Sequence, residues 1–165
     1  MLIALTGFMG SGKSTVGALV ADALGCPFLD LDALVEKQAG LRIPQIFAAE
    51  GEIGFRRRER AVLEKTVARY AESTAVLALG GGTVTLPGAV ALLQEKTLCI
   101  YLRASLETLQ GRLAGQREGR PLAGENLSAL LSSRLPLYGK AAALTLDTDG
   151  FSPEQIADEI IITCL

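Results

Sequence analysis

The segment that most constrains the fold of this chain is Gly7-Phe8-Met9-Gly10-Ser11-Gly12-Lys13-Ser14-Thr15, close to the start of the sequence. It matches G-x-x-x-x-G-K-[ST], the pattern of a phosphate-binding loop that joins a strand to a helix. The apolar run 2–5 precedes it, and a stretch with apolar residues at helical spacing, 16–25, follows it. A chance glycine-rich turn is the alternative, but this context disfavours it, so the segment predicts a nucleotide site in an α/β fold.

The chemistry of such a loop comes from its backbone and from two side chains. The glycines let successive N–H groups turn toward a polyphosphate, and the helix that begins here adds the positive end of its dipole. The Lys13 ammonium can reach the outer phosphates, and the Ser14 hydroxyl can ligate Mg²⁺. We therefore expect the nucleotide to contact Gly10, Ser11, Gly12, Lys13, Ser14 and Thr15.

Short apolar runs alternate with helical patterns along the sequence. Strands are predicted at 2–6, 27–31, 74–79, 98–102 and 144–147, and helices at 13–25, 33–39, 44–49, 52–71, 87–95, 105–113, 125–138 and 153–163. Such alternation indicates a parallel sheet covered by helices on both faces. At 165 residues, without an interdomain linker or an internal repeat, the chain is expected to form one domain.

The composition argues against several classes of protein. A hydrophobic content of 49% with 21% charged residues is too apolar for a disordered chain, and the formal net charge of −2 provides no basic field for nucleic acid. No apolar stretch of the sequence is long enough for a membrane span. Three widely spaced cysteines, with Cys99 in an apolar run, and the lack of histidine argue against zinc and favour a reduced, cytosolic setting. Without histidine, acid–base chemistry is left to a carboxylate.

Two aspartates follow the second predicted strand. Two residues apart in an extended segment, the carboxylates of Asp30 and Asp32 are expected on the same side, at the sheet edge where the phosphate-binding loop lies. One could hold the hydration shell of Mg²⁺, and the other could orient a substrate hydroxyl and accept its proton. The alternative is that one of them only caps the next helix.

A cluster of arginines occupies the long helix predicted at 52–71. Arg56, Glu59 and Arg60 are spaced to share one helix face. Arg56, steadied by Glu59, could bind a substrate carboxylate, since the planar guanidinium matches two carboxylate oxygens. A solvated helix with several ion pairs is the equally acceptable alternative.

Three consecutive glycines, Gly80, Gly81 and Gly82, end the third predicted strand, where many phosphate-loop proteins carry an aspartate that helps to hold Mg²⁺. Their place there argues against a GTPase or a motor ATPase. Bare backbone at this position would let a substrate lie close against it. A plain tight turn is the alternative, although it would not require three glycines.

The second half of the chain contributes further arginines. The long polar connection 114–124, with Arg117 and Arg120, could close as a lid over a triphosphate, or it could be disordered without a function. Arg112, just before it, could cap its helix or stack on adenine. Arg134 lies in a helix that Pro136 should disturb, and taken alone it is interpreted as an exposed surface arginine.

Together these motifs resemble the shikimate kinase family over nearly the whole chain. The family pattern G-x-M/P-G-x-G-K-[ST]-T-[VI]-G fits Gly7 to Gly17, and D-x-D fits Asp30 and Asp32. The pattern I-x-x-I-F-x-x-x-G-E-x-x-F-R-x-x-E fits residues 43–59 without a gap. The triple glycine, Arg120-Pro121-Leu122 and Arg134-x-Pro-x-Tyr138 complete the match. One departure is the lid, which reads Arg-Pro-Leu-Ala where the family commonly has Arg-Pro-Leu-Leu.

The resemblance implies a role for each matching residue. Asp32 would contact the shikimate hydroxyls and act as the base, and Asp30 together with Ser14 would support Mg²⁺. Lys13 and Arg120 would neutralise charge on the transferring phosphoryl group. The shikimate carboxylate would be held by Arg56 and Arg134 beside Gly80, Gly81 and Gly82, and the adenine of ATP would be flanked by Arg112 and Pro153.

The resemblance further implies a three-layer α/β/α P-loop kinase fold with five parallel strands in the order 2-3-1-4-5. One domain, 1–165, would contain an acceptor-binding part near 32–60 and a lid near 112–124. The implied reaction is phosphoryl transfer from MgATP to the 3-hydroxyl of shikimate, in a monomeric cytoplasmic enzyme that binds neither nucleic acid nor membrane. A kinase for another hydroxylated metabolite such as gluconate, or a nucleotide-binding module without catalysis, are the alternatives.

Overall fold

The computed structural model of the protein describes residues 1–114 and 126–164. Its centre is a five-stranded parallel sheet in the order β2-β3-β1-β4-β5. The strands are β1 (Leu2–Thr6), β2 (Phe28–Asp30), β3 (Ala75–Ala78), β4 (Leu98–Arg103) and β5 (Leu144–Asp147). The predicted strands and the predicted order 2-3-1-4-5 are therefore confirmed.

Seven α-helices connect and cover the strands in the described residues. They are α1 (Lys13–Leu24), α2 (Leu31–Ala39), α3 (Ile43–Arg69), α4 (Ala89–Lys96), α5 (Leu106–Leu113), α6 (Leu127–Ala141) and α7 (Pro153–Cys164), and a short 3₁₀ helix spans Thr83–Thr85. No helix in these residues has the length and apolarity needed to cross a membrane.

Alternation of side chains along β1 explains the three layers. Ile3 and Leu5 pack with apolar residues of α1 and α7 in one core. Leu2 and Ala4 face the opposite side, in a larger core formed with α2, α3, α4, α5 and α6. Since successive side chains of a strand point to opposite faces, an unbroken apolar run is what a sheet buried on both faces requires. Cys99 lies buried in the larger core, as predicted.

The long helix α3 is kinked where the prediction separates two helices. The boundary expected between 44–49 and 52–71 falls at Gly51, whose φ of 69° and ψ of −175° are not helical. Only glycine adopts this backbone conformation readily, so the chain changes direction there without ending the helix. Pro136 was expected to disturb its helix, yet α6 continues past it to Ala141.

Candidate active site

A cavity of about 500 Å³ opens at the carboxyl ends of the strands. Open parallel sheets bind their ligands at this edge. Each predicted site residue within the described part of the chain lines it, namely Gly10, Ser11, Gly12, Lys13, Ser14, Thr15, Asp30, Asp32, Arg56, Gly80, Gly81, Gly82, Arg112, Arg134 and Pro153. The predicted lid falls largely on residues 115–125, so Arg117 and Arg120 lie outside the described residues.

The phosphate-binding loop forms one wall of the cavity. Gly10 and Gly12 have φ values of 83° and 96°, which favour glycine and allow the backbone to curl toward the start of α1. The Lys13 ammonium folds back over the loop and donates to the carbonyl oxygens of Gly7 at 2.8 Å and Phe8 at 2.9 Å. The loop therefore places a cation and the N-terminus of α1 at the same point of the cavity.

Ser14 and Asp30 meet directly beneath this loop. The Ser14 hydroxyl donates to Asp30 Oδ2 at 2.8 Å, and Asp30 Oδ1 accepts from the backbone N–H of Ala33 at 3.2 Å. Asp30 is thus the N-cap of α2, as the simpler alternative held, and also a partner of the phosphate-binding loop.

The expected geometry of the aspartate pair was wrong, although both side chains reach the cavity. Strand β2 ends at Asp30, and Asp32 lies in the first turn of α2. The two carboxylates converge because the N-terminus of α2 points at the cavity, rather than because they lie two residues apart on the same side of a strand. The sequence signal for this was the preference of aspartate for helix N-caps.

Asp32 has the electrostatic surroundings of a proton acceptor. Burial, followed by the negative charges of Asp30 and Glu59, raises the pKa of its carboxyl to about 6, against the opposing effects of Lys13 and Arg56. A carboxylate with a pKa near the working pH accepts a proton more readily than an ordinary aspartate does.

Arg56 is fixed by acidic neighbours on α3. Its Nη1 donates to Glu59 Oε2 at 2.7 Å, and its Nε lies 3.6 Å from Glu52 Oε1. The Glu59 side chain is fully buried, whereas that of Arg56 is 18% exposed, toward the cavity. The guanidinium is therefore held in one orientation at the wall of the site.

The solvated-helix interpretation describes the neighbouring arginines instead. Arg58 pairs with Glu50 at 2.7 Å, and Arg60 pairs with Glu64 at 3.0 Å. Neither contributes to the cavity. Arg60 lies one turn after Arg56 on α3, and its side chain extends along the same helix to Glu64.

The triple glycine leaves space that other side chains occupy. A Cβ on Gly82 would lie 2.4 Å from Arg56 Nη2, and one on Gly81 would lie 3.1 Å from the backbone nitrogen of Met9. None of the three glycines has a positive φ. Glycine is required here because neighbouring groups of the cavity wall occupy the space that a side chain would need. A tight turn is not the reason.

Arg134 is 4% exposed and lines the cavity, so the expectation of an exposed surface arginine was wrong. Its guanidinium lies 5.8 Å from the centroid of the Phe8 ring and 3.6 Å from the position of a Cβ on Gly81. One turn later on α6, the fully buried Tyr138 donates its hydroxyl to the Gly81 carbonyl. The only sequence signal for a place of Arg134 in the site was that Arg134 and Tyr138 match a family motif.

The remaining wall combines the end of α5 with the segment before α7. Arg112 Nη1 donates to the Gly10 carbonyl at 3.1 Å, so this arginine lies beside the phosphate-binding loop. Thr148, Phe151 and Pro153 line the cavity next to it. The sequence gives no individual signal for Phe151 or Thr148, since neither belongs to a charged or glycine-rich motif.

Two aromatic residues on α3 were also missed. Phe47 and Phe55 line the cavity with their ring centroids 4.9 Å apart. They lie on either side of the kink at Gly51, so the first turns of α3 bend over the site rather than away from it. An apolar side chain within a motif gives no separate signal for a ligand contact in the sequence.

Comparison with known proteins identifies the relatives of this chain. The family model "Shikimate kinase" matches residues 9–165. A curated shikimate kinase of Thioalkalivibrio sulfidiphilus is 45% identical over 162 residues, which cover 96% of this chain and 84% of that protein. The solved shikimate kinase of Acinetobacter baumannii in complex with shikimate is 35% identical and superposes with a TM-score of 0.91, over 99% of this chain and 92% of that one.

A gluconokinase of Sinorhizobium meliloti is a more distant structural neighbour. It is 20% identical with a TM-score of 0.60, over 97% of this chain and 89% of its own. At this identity the likeness shows a common fold alone.

Proposed function

We infer that this chain, which belongs to the shikimate kinase family, transfers the terminal phosphoryl group of ATP to the 3-hydroxyl of shikimate. One observation carries the inference. Arg56 and Arg134 border the same triple glycine from two different helices, in the cavity that also contains Asp32 and the phosphate-binding loop. Two buried or half-buried guanidinium groups at one wall fit an acceptor that carries a carboxylate.

In this proposal the acceptor lies between the two arginines and Asp32. The cations bind the carboxylate of shikimate and fix the ring against the backbone of Gly81 and Gly82. The hydroxyls at the other side of the ring then face the Asp32 carboxylate. Asp32 accepts the proton of the attacking hydroxyl, in keeping with its raised pKa.

The donor nucleotide occupies the other wall. The backbone N–H groups from Gly10 to Thr15 and the N-terminus of α1 bind the phosphates, and Lys13 exchanges its loop carbonyl partners for phosphate oxygens. The adenine lies near Arg112 and Pro153. Because phosphoryl transfer needs alignment and charge neutralisation rather than covalent help, these groups suffice for the donor side.

The side-chain oxygens of Ser14 and Asp30 fit a Mg²⁺ ion that the substrate also helps to hold. Ser14 Oγ and Asp30 Oδ2 are hard oxygen donors that already meet at 2.8 Å, and Mg²⁺ prefers oxygen ligands and keeps several waters. Among the described residues there is no cluster of three or more acidic or metal-binding side chains that could hold a metal ion alone. When bound, Mg²⁺ would neutralise phosphate charge, and Ser14 and Asp30 would hold it on the protein side.

Five further expectations stay proposals. Arg120 would add a positive charge over the transferring phosphoryl group, and the residues near 112–124 would exclude water as a lid. Residues 32–60 would form the acceptor-binding part. A monomeric state and a cytoplasmic location remain expectations from the family resemblance and the cysteine content.

An acceptor panel tests the proposal. Release of ADP is measured with shikimate, with gluconate and with a shikimate analogue whose carboxylate is replaced by a neutral amide. We expect turnover with shikimate only, since the neutral amide cannot pair with two guanidinium groups. Comparable turnover with gluconate and none with shikimate would assign the chain to the alternative kinase. ATP binding without turnover on any acceptor would favour a non-catalytic nucleotide-binding module.

A further inference from the structure

Thr83 contacts the wall that holds Arg56 without reaching the cavity itself. It is the first residue of the 3₁₀ helix and follows Gly82 directly. Its side chain is fully buried, and its hydroxyl donates to Glu59 Oε1 at 2.6 Å. Glu59 in turn accepts from Arg56 through its other carboxylate oxygen at 2.7 Å. One buried carboxylate therefore joins the loop after β3 to the arginine of α3.

The need for this hydroxyl follows from the burial of Glu59. Its side chain has no exposed surface, and a buried carboxylate is stable in one orientation only when both oxygens have hydrogen-bond donors. Arg56 supplies the donor for one oxygen and Thr83 supplies the donor for the other. The carboxylate torsion is otherwise soft, so removal of the Thr83 hydroxyl would let Glu59 rotate and take Arg56 with it.

The same loop contacts Arg56 from a second direction. A Cβ on Gly82 would meet the guanidinium, with its carbon Cζ at 2.8 Å. A Cβ on Gly80 would lie 3.0 to 3.1 Å from Glu59 Oε1, Asp32 Oδ1 and Thr83 Oγ1. The hydroxyl thus lies where the two acidic side chains approach each other, and it holds the Glu59 carboxylate in place beside the carboxylate of Asp32.

We propose that Thr83 is a positioning residue for acceptor binding, which acts through Glu59 to hold the Arg56 guanidinium in the orientation that receives the acceptor carboxylate. The inference rests on the proposed role of Arg56. It assigns a function to a buried hydroxyl outside the cavity, and it predicts that the hydrogen bond, rather than the shape of the side chain, is what acceptor binding requires.

The test compares Thr83→Val with Thr83→Ser. Valine keeps the shape of threonine but removes the donor, whereas serine keeps the donor and removes a methyl group. We expect Thr83→Val to raise the KM and the Kd for shikimate by about ten- to a hundredfold, the size of a lost hydrogen bond to a charged group. The KM for ATP should stay within about twofold, and Thr83→Ser should restore most of the affinity for shikimate. Shikimate binding is measured by calorimetry as well as by kinetics.

Thr66→Val controls for the general loss of a buried hydroxyl. Thr66 lies on the same helix as Arg56 and is 7% exposed, and its hydroxyl donates to the Val62 carbonyl away from the cavity. Thermal unfolding measures the stability of both valine variants, so that a loss of shikimate affinity can be compared at a known loss of stability. Equal shikimate affinity in Thr83→Val and Thr66→Val, or a loss in Thr83→Ser as large as in Thr83→Val, would overturn the role of Thr83.

Arg56→Ala separates this inference from the function on which it rests. A large rise in the KM for shikimate with Arg56→Ala, but none with Thr83→Val, would leave the proposed function intact and refute the role of Thr83. An unchanged KM with Arg56→Ala would refute both.

Discussion

At the scale of single residues, the proposed role of Asp32 as the base predicts the pH dependence of the reaction. Its carboxyl must be ionised to accept a proton, and its pKa is raised to about 6 by burial and by the charges of Asp30 and Glu59. We therefore expect kcat/KM for shikimate to fall as the pH drops through about 6, with the enzyme–ATP complex titrating as a single group. Initial rates between pH 5 and 8 at saturating ATP check this. An acid limb below pH 5 would show that another group limits the rate.

The same residue links activity to stability. Because the folded-state pKa of Asp32 lies above its ordinary value of 3.8, the folded protein binds more protons than the unfolded chain between about pH 4 and 6, and stability is lost as the pH rises through this window. Asp32→Asn should thus raise the free energy of unfolding at pH 7.5 by about 1–3 kcal/mol. It should also lower kcat by about a hundredfold or more.

Urea unfolding at several pH values separates this effect from a general stabilisation. The advantage of Asp32→Asn should disappear below about pH 4, where the wild-type carboxyl is protonated in both states. Asp158→Asn, on the exposed surface of α7, removes a charge of the same sign and serves as the matched control. A stabilisation of equal size at pH 3.5 and pH 7.5 would contradict the assignment.

At the scale of the elements, the packing of α1 on the sheet places the phosphate-binding loop. Gly17 lies on α1, and a Cβ there would lie 2.6 Å from the Phe28 ring and 3.2 Å from a methyl group of Leu5. Gly17→Ala should therefore lift α1 and lower the free energy of unfolding by about 1–3 kcal/mol. Gly139→Ala on α6 meets nothing within 4 Å, and it should instead raise stability by about 0.5–1 kcal/mol through helix propensity.

Chemical denaturation of the two alanine variants measures this contrast, and the KM for ATP provides a second reading. Displacement of α1 should raise the KM for ATP in Gly17→Ala but not in Gly139→Ala, since α1 begins at Lys13. Equal stabilities would mean that the Phe28 ring moves aside at little cost.

The helices and strands were the features that the sequence predicted best. Continuous apolar runs and helical periodicity located the strands, because a sheet buried on both faces leaves little freedom in composition. The sequence could not predict the orientation of the N-terminus of α2, on which the convergence of Asp30 and Asp32 depends. Nor could it predict the burial of Arg134, because one arginine within a helical pattern looks the same whether it faces water or a cavity. Both features arise from packing between segments far apart in the chain.

At the scale of the whole molecule, the proposed function divides one cavity into two binding sites built from different elements. The proposed nucleotide wall comes from α1, the end of α5 and the segment before α7, and the proposed acceptor wall comes from α2, α3 and α6. A ligand that binds only the folded state stabilises the whole chain, by about 2.7 kcal/mol at one hundred times its Kd. For a domain of this size that corresponds to an increase in Tm of about 5–10 °C.

This division predicts that a variant of one wall loses the increase in Tm given by one ligand and keeps the increase given by the other. Arg134→Ala should lose most of the increase in Tm given by shikimate and keep the increase given by ADP with Mg²⁺, because the guanidinium lies beside Gly81 and approaches the phosphate-binding loop only at the apolar ring of Phe8. Lys13→Ala should do the reverse, since its ammonium lies in the phosphate-binding loop, and it should also abolish turnover. Differential scanning fluorimetry of the wild type and both variants with each ligand gives the comparison. If both variants lost both shifts equally, the two walls would form one cooperative unit, and the separation of acceptor and nucleotide sites would have to be abandoned.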